Sequence, residues 1–187
     1  MRVAVLEVFD WLELKVPSFK RAHRAVALVR SRLALAGCEL GESVLVHGAL
    51  HVERRGRVKV GAQCVFVGGP FPTALRVERG ASLEVGARCY FNYGAHFEVS
   101  ESVRMGERCM FGSYVRVSDT KGAPVVIGKD VWVAHGAVIN PGVTIGDGAV
   151  VSAGSVVNND VPAGMLAIGN PARMMSQRLC STGGTHV

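Results

Sequence analysis

Residues 131–157 read VWVAHGAVINPGVTIGDGAVVSAGSVV, and an aliphatic side chain returns at every sixth place. Extended backwards, the series is Ile127, Val133, Ile139, Ile145, Val151 and Val157. Four places after each stands Val131, Ala137, Val143, Ala149, Ser155 or Val161. A buried helix face repeats near 3.6 residues and a half-buried strand at 2, so neither explains a strict step of six. A short strand followed by a corner does. The aliphatic residue points into a narrow prism, the small residue packs beside the corner, and Gly or Asn serves the turn where a positive φ is needed.

The same unit returns earlier in looser form, as VERRGRVKVGAQCVF from Val52, VERGASLEVGARCYF from Val77 and VSESVRMGERCMF from Val99. Repetition on this scale marks a stacked, quasi-one-dimensional fold. Cys64, Cys89 and Cys109 fall on the second inward position and read as small buried hydrophobes. No pair of the five cysteines has CxxC spacing, so no zinc or redox motif is expected.

A length of 187 residues, 49% hydrophobic content and a mean hydropathy of +0.27 describe an ordinary folded domain. The net charge of +6 is uneven, since residues 1–36 hold seven basic against three acidic side chains. Without an aromatic RNA-stacking cluster or a recognition-helix motif, nucleic acid is not an expected partner. No apolar run reaches the roughly 18 residues of a membrane span, and Glu7 interrupts any leader-like core. A cytoplasmic protein is therefore expected. Ser18 fits a helix N-cap, and Phe19, Ala22, Val26, Val29 and Leu33 form an apolar stripe before Gly37. That helix reads as a cap over the first coil, and Lys20, Arg21, Arg24, Arg30 and Arg32 also suit a peripheral contact with a membrane surface.

The segment PVVIGKDVWVAHGAVINPGVTIGDGAVVSAGSVVNNDVPAGMLAIGNPARMM, with its GNPAR ending, resembles the hexapeptide-repeat acyltransferases, in particular the sugar and xenobiotic O-acetyltransferase branch. The resemblance covers residues 40–175. It implies an all-β, left-handed parallel β-helix with a helical cap at 1–39, coils over 40–162 and an extension and tail at 163–187. It also implies a homotrimer, acetyl-CoA as co-substrate in a groove between chains, a sugar, polysaccharide or other small-molecule acceptor, and no metal. Asn92 matches the family's acceptor-site Asn. The loop His of the family has no counterpart, because only SDTKGAP at residues 118–124 precedes the next repeat.

Acyl transfer needs a base for the acceptor proton and a donor for the developing oxyanion, and histidine suits the first near neutral pH. His135, whose V-A-H setting is similar to the I-A-H segment of the lipid A acyltransferases, and His96 are the candidates. Counting hexapeptides places them on one face, two coils or about 10 Å apart. His23 and His186 lie in the cap and tail, and His47 and His51 flank the first coil. Asp119 is a candidate to orient a His or bind a hydroxyl, or an ordinary turn residue. On the resemblance, the backbone of Ala153, Gly154 and Ser155 would lie along pantetheine, Arg173 would meet a CoA phosphate, and Trp132 would wall the groove or pack a corner. A trimeric scaffold without activity stands as the alternative. A γ-class carbonic anhydrase would need three zinc-binding histidines, and no third lies one coil beyond His47 and His51. A serine acetyltransferase would need a larger helical N-terminal domain.

Overall fold

A computed structural model describes residues 17–120 and 123–177, with side chains from Ala25 onward. A helix, α1 (Pro17–Ala34), precedes a β-helix. Among the described residues the strands form three sheets of six, eight and six members, the faces of a triangular prism. Face A holds Glu39–Leu40, Arg57–Val60, Ser82–Val85, Ser102–Met105, Val125–Ile127 and Thr144–Ile145. Face B holds Leu45–Val46, Val65–Phe66, Tyr90–Phe91, Met110–Phe111, Trp132–Val133, Val150–Val151, Met165–Ile168 and Arg173–Ser176. Face C holds Leu50–Arg54, Thr73–Val77, His96–Val99, Arg116–Ser118, Val138–Ile139 and Val156–Val157. The chain visits A, B and C in turn, and every strand pairs in parallel with its equivalent one coil on. The exception is Arg173–Ser176, which folds back antiparallel on Met165–Ile168. The all-β solenoid expected from the six-residue step is the fold observed.

The stacking is the register of the repeat. Leu40, Val60, Val85, Met105, Ile127 and Ile145 lie over one another on face A. On face B, Val46, Phe66, Phe91, Phe111, Val133 and Val151 do the same. Phe66, Phe91 and Phe111 form a ring stack inside the prism, with centroids 4.7 and 5.0 Å apart and planes within 9° and 2°, and Phe97 meets Phe91 and Phe111 edge-on. Such geometry adds attraction beyond the area buried. Cys64, Cys89 and Cys109 are buried at one corner, and each thiol donates to a carbonyl one coil on, of Gly86 (3.1 Å), Gly106 (3.2 Å) and Gly128 (3.0 Å). Hydrogen bonding with the Cys109 and Cys64 thiols, together with burial, pushes the Cys89 thiol far up.

Two expectations need correction in part. Glycine does take the positive φ of the turn at Gly94, Gly136, Gly148 and Gly154, but the glycine after the aliphatic residue does not. A Cβ on Gly86 would stand 2.4 Å from the Gly106 carbonyl carbon, and one on Gly106 would stand 2.7 Å from the Lys129 nitrogen, so it is coil-to-coil approach that demands glycine. The left-handed position two places later holds Gln63, Arg88, Arg108 and Asp130, whose side chains pair along the corner: Arg88 Nε donates to Gln63 Oε1 at 3.1 Å, and Arg108 to both Asp130 oxygens at 2.7 and 2.9 Å.

The second correction concerns α1. It packs on Leu45–Val46 and Leu50–Arg54, but through Ala27, Ser31 and Leu35, all buried, with the Ser31 hydroxyl donating to the Leu28 carbonyl. Val26, Val29 and Leu33 are 57, 60 and 73% exposed. Small Ala27 and Ser31 let the helix approach the coil closely, and Leu35, just past its end, fills the core beneath, while the larger apolar stripe faces outward. The side chains of Ser18, Phe19, Lys20, Arg21, Ala22, His23 and Arg24, and residues 178–187 with His186, lie outside the described residues.

Candidate functional site

Face B presents outward a ladder of Tyr90, Met110, Trp132, Val150 and Leu166, the strand residues that alternate with the inward stack. This ladder floors an open cleft of about 560 Å³, whose edge toward face C is formed by Asn92, Gly112, Ser113, Ala134, His135, Ser152 and Ala153. His135 and Gly136 make the two-residue turn from face B to face C, with Gly136 at φ +66°. The His135 ring is exposed and meets the Tyr114 ring edge-on at 5.4 Å. Its backbone is pinned, since the His135 carbonyl accepts the Gly154 N–H and the Gly136 N–H reaches the Ser113 carbonyl, both at 2.8 Å. An exposed imidazole on a rigid turn above an apolar floor can exchange a proton with a group held in that cleft.

Asn92 lies two coils below Ala134 along the same edge. Its Oδ1 accepts the Tyr93 N–H at 3.0 Å, which fixes the carboxamide and leaves the Nδ2 end to donate. Trp132, 39% exposed, and Ala153 line the cleft with Asn92 and His135. The structure thus brings together four of the residues named from sequence.

The others are elsewhere. His96 opens the face C strand His96–Val99 and lines a different cleft of about 260 Å³ with Glu98, Arg116, Ser118 and Asn140. Its Nε2 stands 3.6 Å from Glu98 Oε1. The expectation that His96 and His135 share a face fails because the chain turns the corner between Asn92 and His96. In register, His96 lies under Arg116 and Val138, and His135 lies over Ser113 and Tyr93.

Asp119 is wholly buried, and its carboxylate accepts backbone N–H groups of Ser100, Glu101 and Ser102 at 2.5, 3.0 and 2.6 Å. It caps the corner of the coil below and has no oxygen facing either cleft, which corrects the substrate-binding expectation. Ser155 is also buried and points inward, its Oγ accepting the Gly169 N–H at 3.1 Å, while its N and O bond to Ser152 and Val138. It offers a ligand neither side chain nor open backbone. Gly154, at φ +66°, turns the corner beside Ala153, and exposed Arg173 begins the antiparallel strand; neither lines the cleft. Among the described residues no three His, Cys, Asp or Glu side chains group as a metal centre requires.

Sequence reading missed the aromatic rings at the corner between faces B and C. Tyr114 meets Tyr93 at 5.5 Å and Phe71 at 5.8 Å, both edge-on. A signal was present, since Tyr114 occupies the repeat position filled by Gly94, Gly136 and Gly154 in neighbouring coils.

The family model described as bacterial transferase hexapeptide (six repeats) matches residues 124–159. The galactoside O-acetyltransferase of Escherichia coli is 39% identical over 54 residues, 29% of this chain and 27% of that one. Nodulation protein L of Rhizobium meliloti is 62% identical over 53 residues, 28% of this chain and 29% of that one. The chain thus spans less than a third of the length of these relatives. Among solved structures, a hexapeptide-repeat containing acetyltransferase of Vibrio cholerae superposes with a TM-score of 0.54 at 26% identity, covering 81% of this chain and 79% of that one. A hexapeptide transferase family protein of Anaplasma phagocytophilum superposes at 0.55 with 20% identity over 76% and 83%, a likeness of fold. Residues 124–159 thus carry the hexapeptide repeat of bacterial transferases, and the whole solenoid shares its fold with these solved structures.

Proposed function

We propose that this protein is an acyl-CoA-dependent acyltransferase, most simply an O-acetyltransferase acting on a hydroxyl of a sugar or sugar-containing acceptor. The carrying observation is His135, exposed on a pinned turn at the edge of the cleft that also holds Asn92 and Trp132. The stretch matched in a galactoside O-acetyltransferase supports the same chemistry. In this reading His135 takes the acceptor hydroxyl proton as that oxygen attacks the thioester carbonyl, and returns it to the departing thiolate. Asn92 Nδ2 donates to a hydroxyl of the acceptor. Trp132 and Ala153 would hold the acyl-CoA arm against the apolar floor, and use of acyl-CoA would suit a cytoplasmic protein.

Three copies meeting through the face B ladder would form a trimer, a closed ring in which each cleft is walled by a neighbour. On α1, exposed Val26, Val29 and Leu33 beside Arg30 and Arg32 would touch an anionic membrane surface. Sedimentation equilibrium tests the first of these, and co-sedimentation with phosphatidylglycerol vesicles the second.

The decisive assay follows thiol release from acetyl-CoA with a panel of sugars. His135→Ala is expected to lower turnover by about 10²–10⁴-fold with acetyl-CoA binding kept. Normal turnover by His135→Ala removes the base assignment, and absence of acetyl-CoA binding in calorimetry removes the enzyme. The second reading, a trimeric scaffold without activity, is favoured by the short segment 118–124, which has no His.

A further inference from the structure

The corner between faces B and C carries more aromatic surface than a turn of the coil needs. Phe66 pairs with Phe91 and Ala74 with His96, so eight residues make this passage in one coil where five make it in the next. The three extra residues fall in VGGPFP, residues 67–72, where Pro70 and Pro72 flank Phe71. Proline fixes φ on either side, so the bulge is stiff, and it holds the Phe71 ring 57% exposed. A rigid insertion whose product is an exposed aromatic ring has no role in the core.

Two coils on, Tyr114 has φ +59°, where its equivalents Gly94, Gly136 and Gly154 have φ +70, +66 and +66°. The corner after face A carries side chains in this conformation at Gln63, Arg88, Arg108 and Asp130, but at the corner between faces B and C the described residues with it are glycines apart from Tyr114. Glycines make room for the rings. A Cβ on Gly94 would stand 2.8 Å from the Tyr114 ring, and one on Gly69 would stand 2.2 Å from the Tyr93 ring. Phe71, Tyr93 and His135 each meet the Tyr114 ring edge-on, at 5.8, 5.5 and 5.4 Å, so residues of four successive coils gather their rings about Tyr114 along this corner. Polar groups flank the row: Asn92 and Ser113 on the face B side, His96, Glu98 and Arg116 on the face C side.

We propose that Phe71, Tyr93 and Tyr114 form a stacking platform for a saccharide chain, so that the acceptor is an oligosaccharide or polysaccharide lying along the corner with one hydroxyl at His135. A pyranose ring has an apolar C–H face and a rim of hydroxyls, which matches rings in a row with hydrogen-bonding groups on both sides. Platform and base draw on four successive coils, a longer span than one sugar. This inference rests on the reading of His135 as the acyl-transfer base.

The test uses the full chain and calorimetry with maltohexaose, cellohexaose, chitohexaose and hexagalacturonate, each beside its monosaccharide. At least one hexasaccharide is expected to bind about tenfold more tightly than its monosaccharide, with Phe71→Ala and Tyr114→Gly each removing most of that gain. Tyr114→Gly gives this coil the residue its neighbours carry, and Phe71 lies outside the core, so both variants should keep the parent's thermal unfolding. Acetyl-CoA affinity should be unchanged in both. The platform is overturned if no hexasaccharide exceeds its monosaccharide, if Phe71→Ala leaves the chain-length preference intact, or if it alters acetyl-CoA affinity or oligomer mass instead. Chain-length-dependent binding without any thiol release would leave the platform standing and remove the acyltransferase, whereas transfer to monosaccharides without chain-length preference would remove the platform alone.

Discussion

Face A measures the coils, and they differ along the prism. From Leu40 to Ile127 the stacked residues are 20, 25, 20 and 22 apart, and from Ile127 to Ile145 they are 18 apart. The regular end has short strands, glycine corners and an aliphatic core. The irregular end has longer strands, side-chain ladders at the corners and a stack of phenylalanines. Regularity is what makes a family visible, which is why the matched repeat begins at residue 124. Individuality, in this chain, lies below it.

If that contrast is energetic, Phe91→Ala should have the largest effect on stability, about 4 kcal/mol, against roughly 2 kcal/mol for Val151→Ala at the equivalent place in the regular end. Urea unfolding of both variants measures this, and equal losses would break the contrast. Asp119→Ala comes next at about 3 kcal/mol, because three backbone N–H groups lose a buried acceptor at the junction of the two regimes. Its signature would be early hydrogen exchange at Ser100, Glu101 and Ser102.

Two glycine substitutions separate the demands on the corners. Gly86→Ala should cost about 2 kcal/mol by overlap with the next coil. Gly148→Ala, with open space around it but φ +65°, should cost about 1 kcal/mol. Thermal unfolding that ranks them in reverse would refute the close-approach account. The smallest effect belongs to Glu39→Gln. The Arg57 hydrogen bond holds the Glu39 carboxyl below the usual carboxylate range, so its contribution is present above that range and is lost as pH falls through the lowered pKa. On this solvent-exposed pair the urea midpoint at pH 7 should not move measurably.

The prism was legible because Ile127 through Val157 step by six without interruption, and the three cysteines were legible because they share the second inward position. The packing face of α1 was not. Its two apolar faces differ by one position, and only the shape of the coil end selects Ala27, Ser31 and Leu35 over Val26, Val29 and Leu33. Asn92, Trp132, Ala153 and His135 meet in one cleft because all follow the face B register. Counting failed for His96, where a corner intervenes. It put Ser155 inward, as observed, and the ligand roles expected of Ser155 and Asp119 failed because both side chains satisfy backbone groups of adjacent segments. The aromatic row was hidden because Phe71, Tyr93 and Tyr114 belong to three successive coils, and their adjacency exists only once the register is known.

The Pro70–Phe71–Pro72 bulge shows how such a protein can change over generations. Strand pairing joins each coil only to the ones before and after it, so three residues added at an edge leave the interior stack in register. Recognition here is free to be revised one corner at a time, while the prism that presents it stays the same.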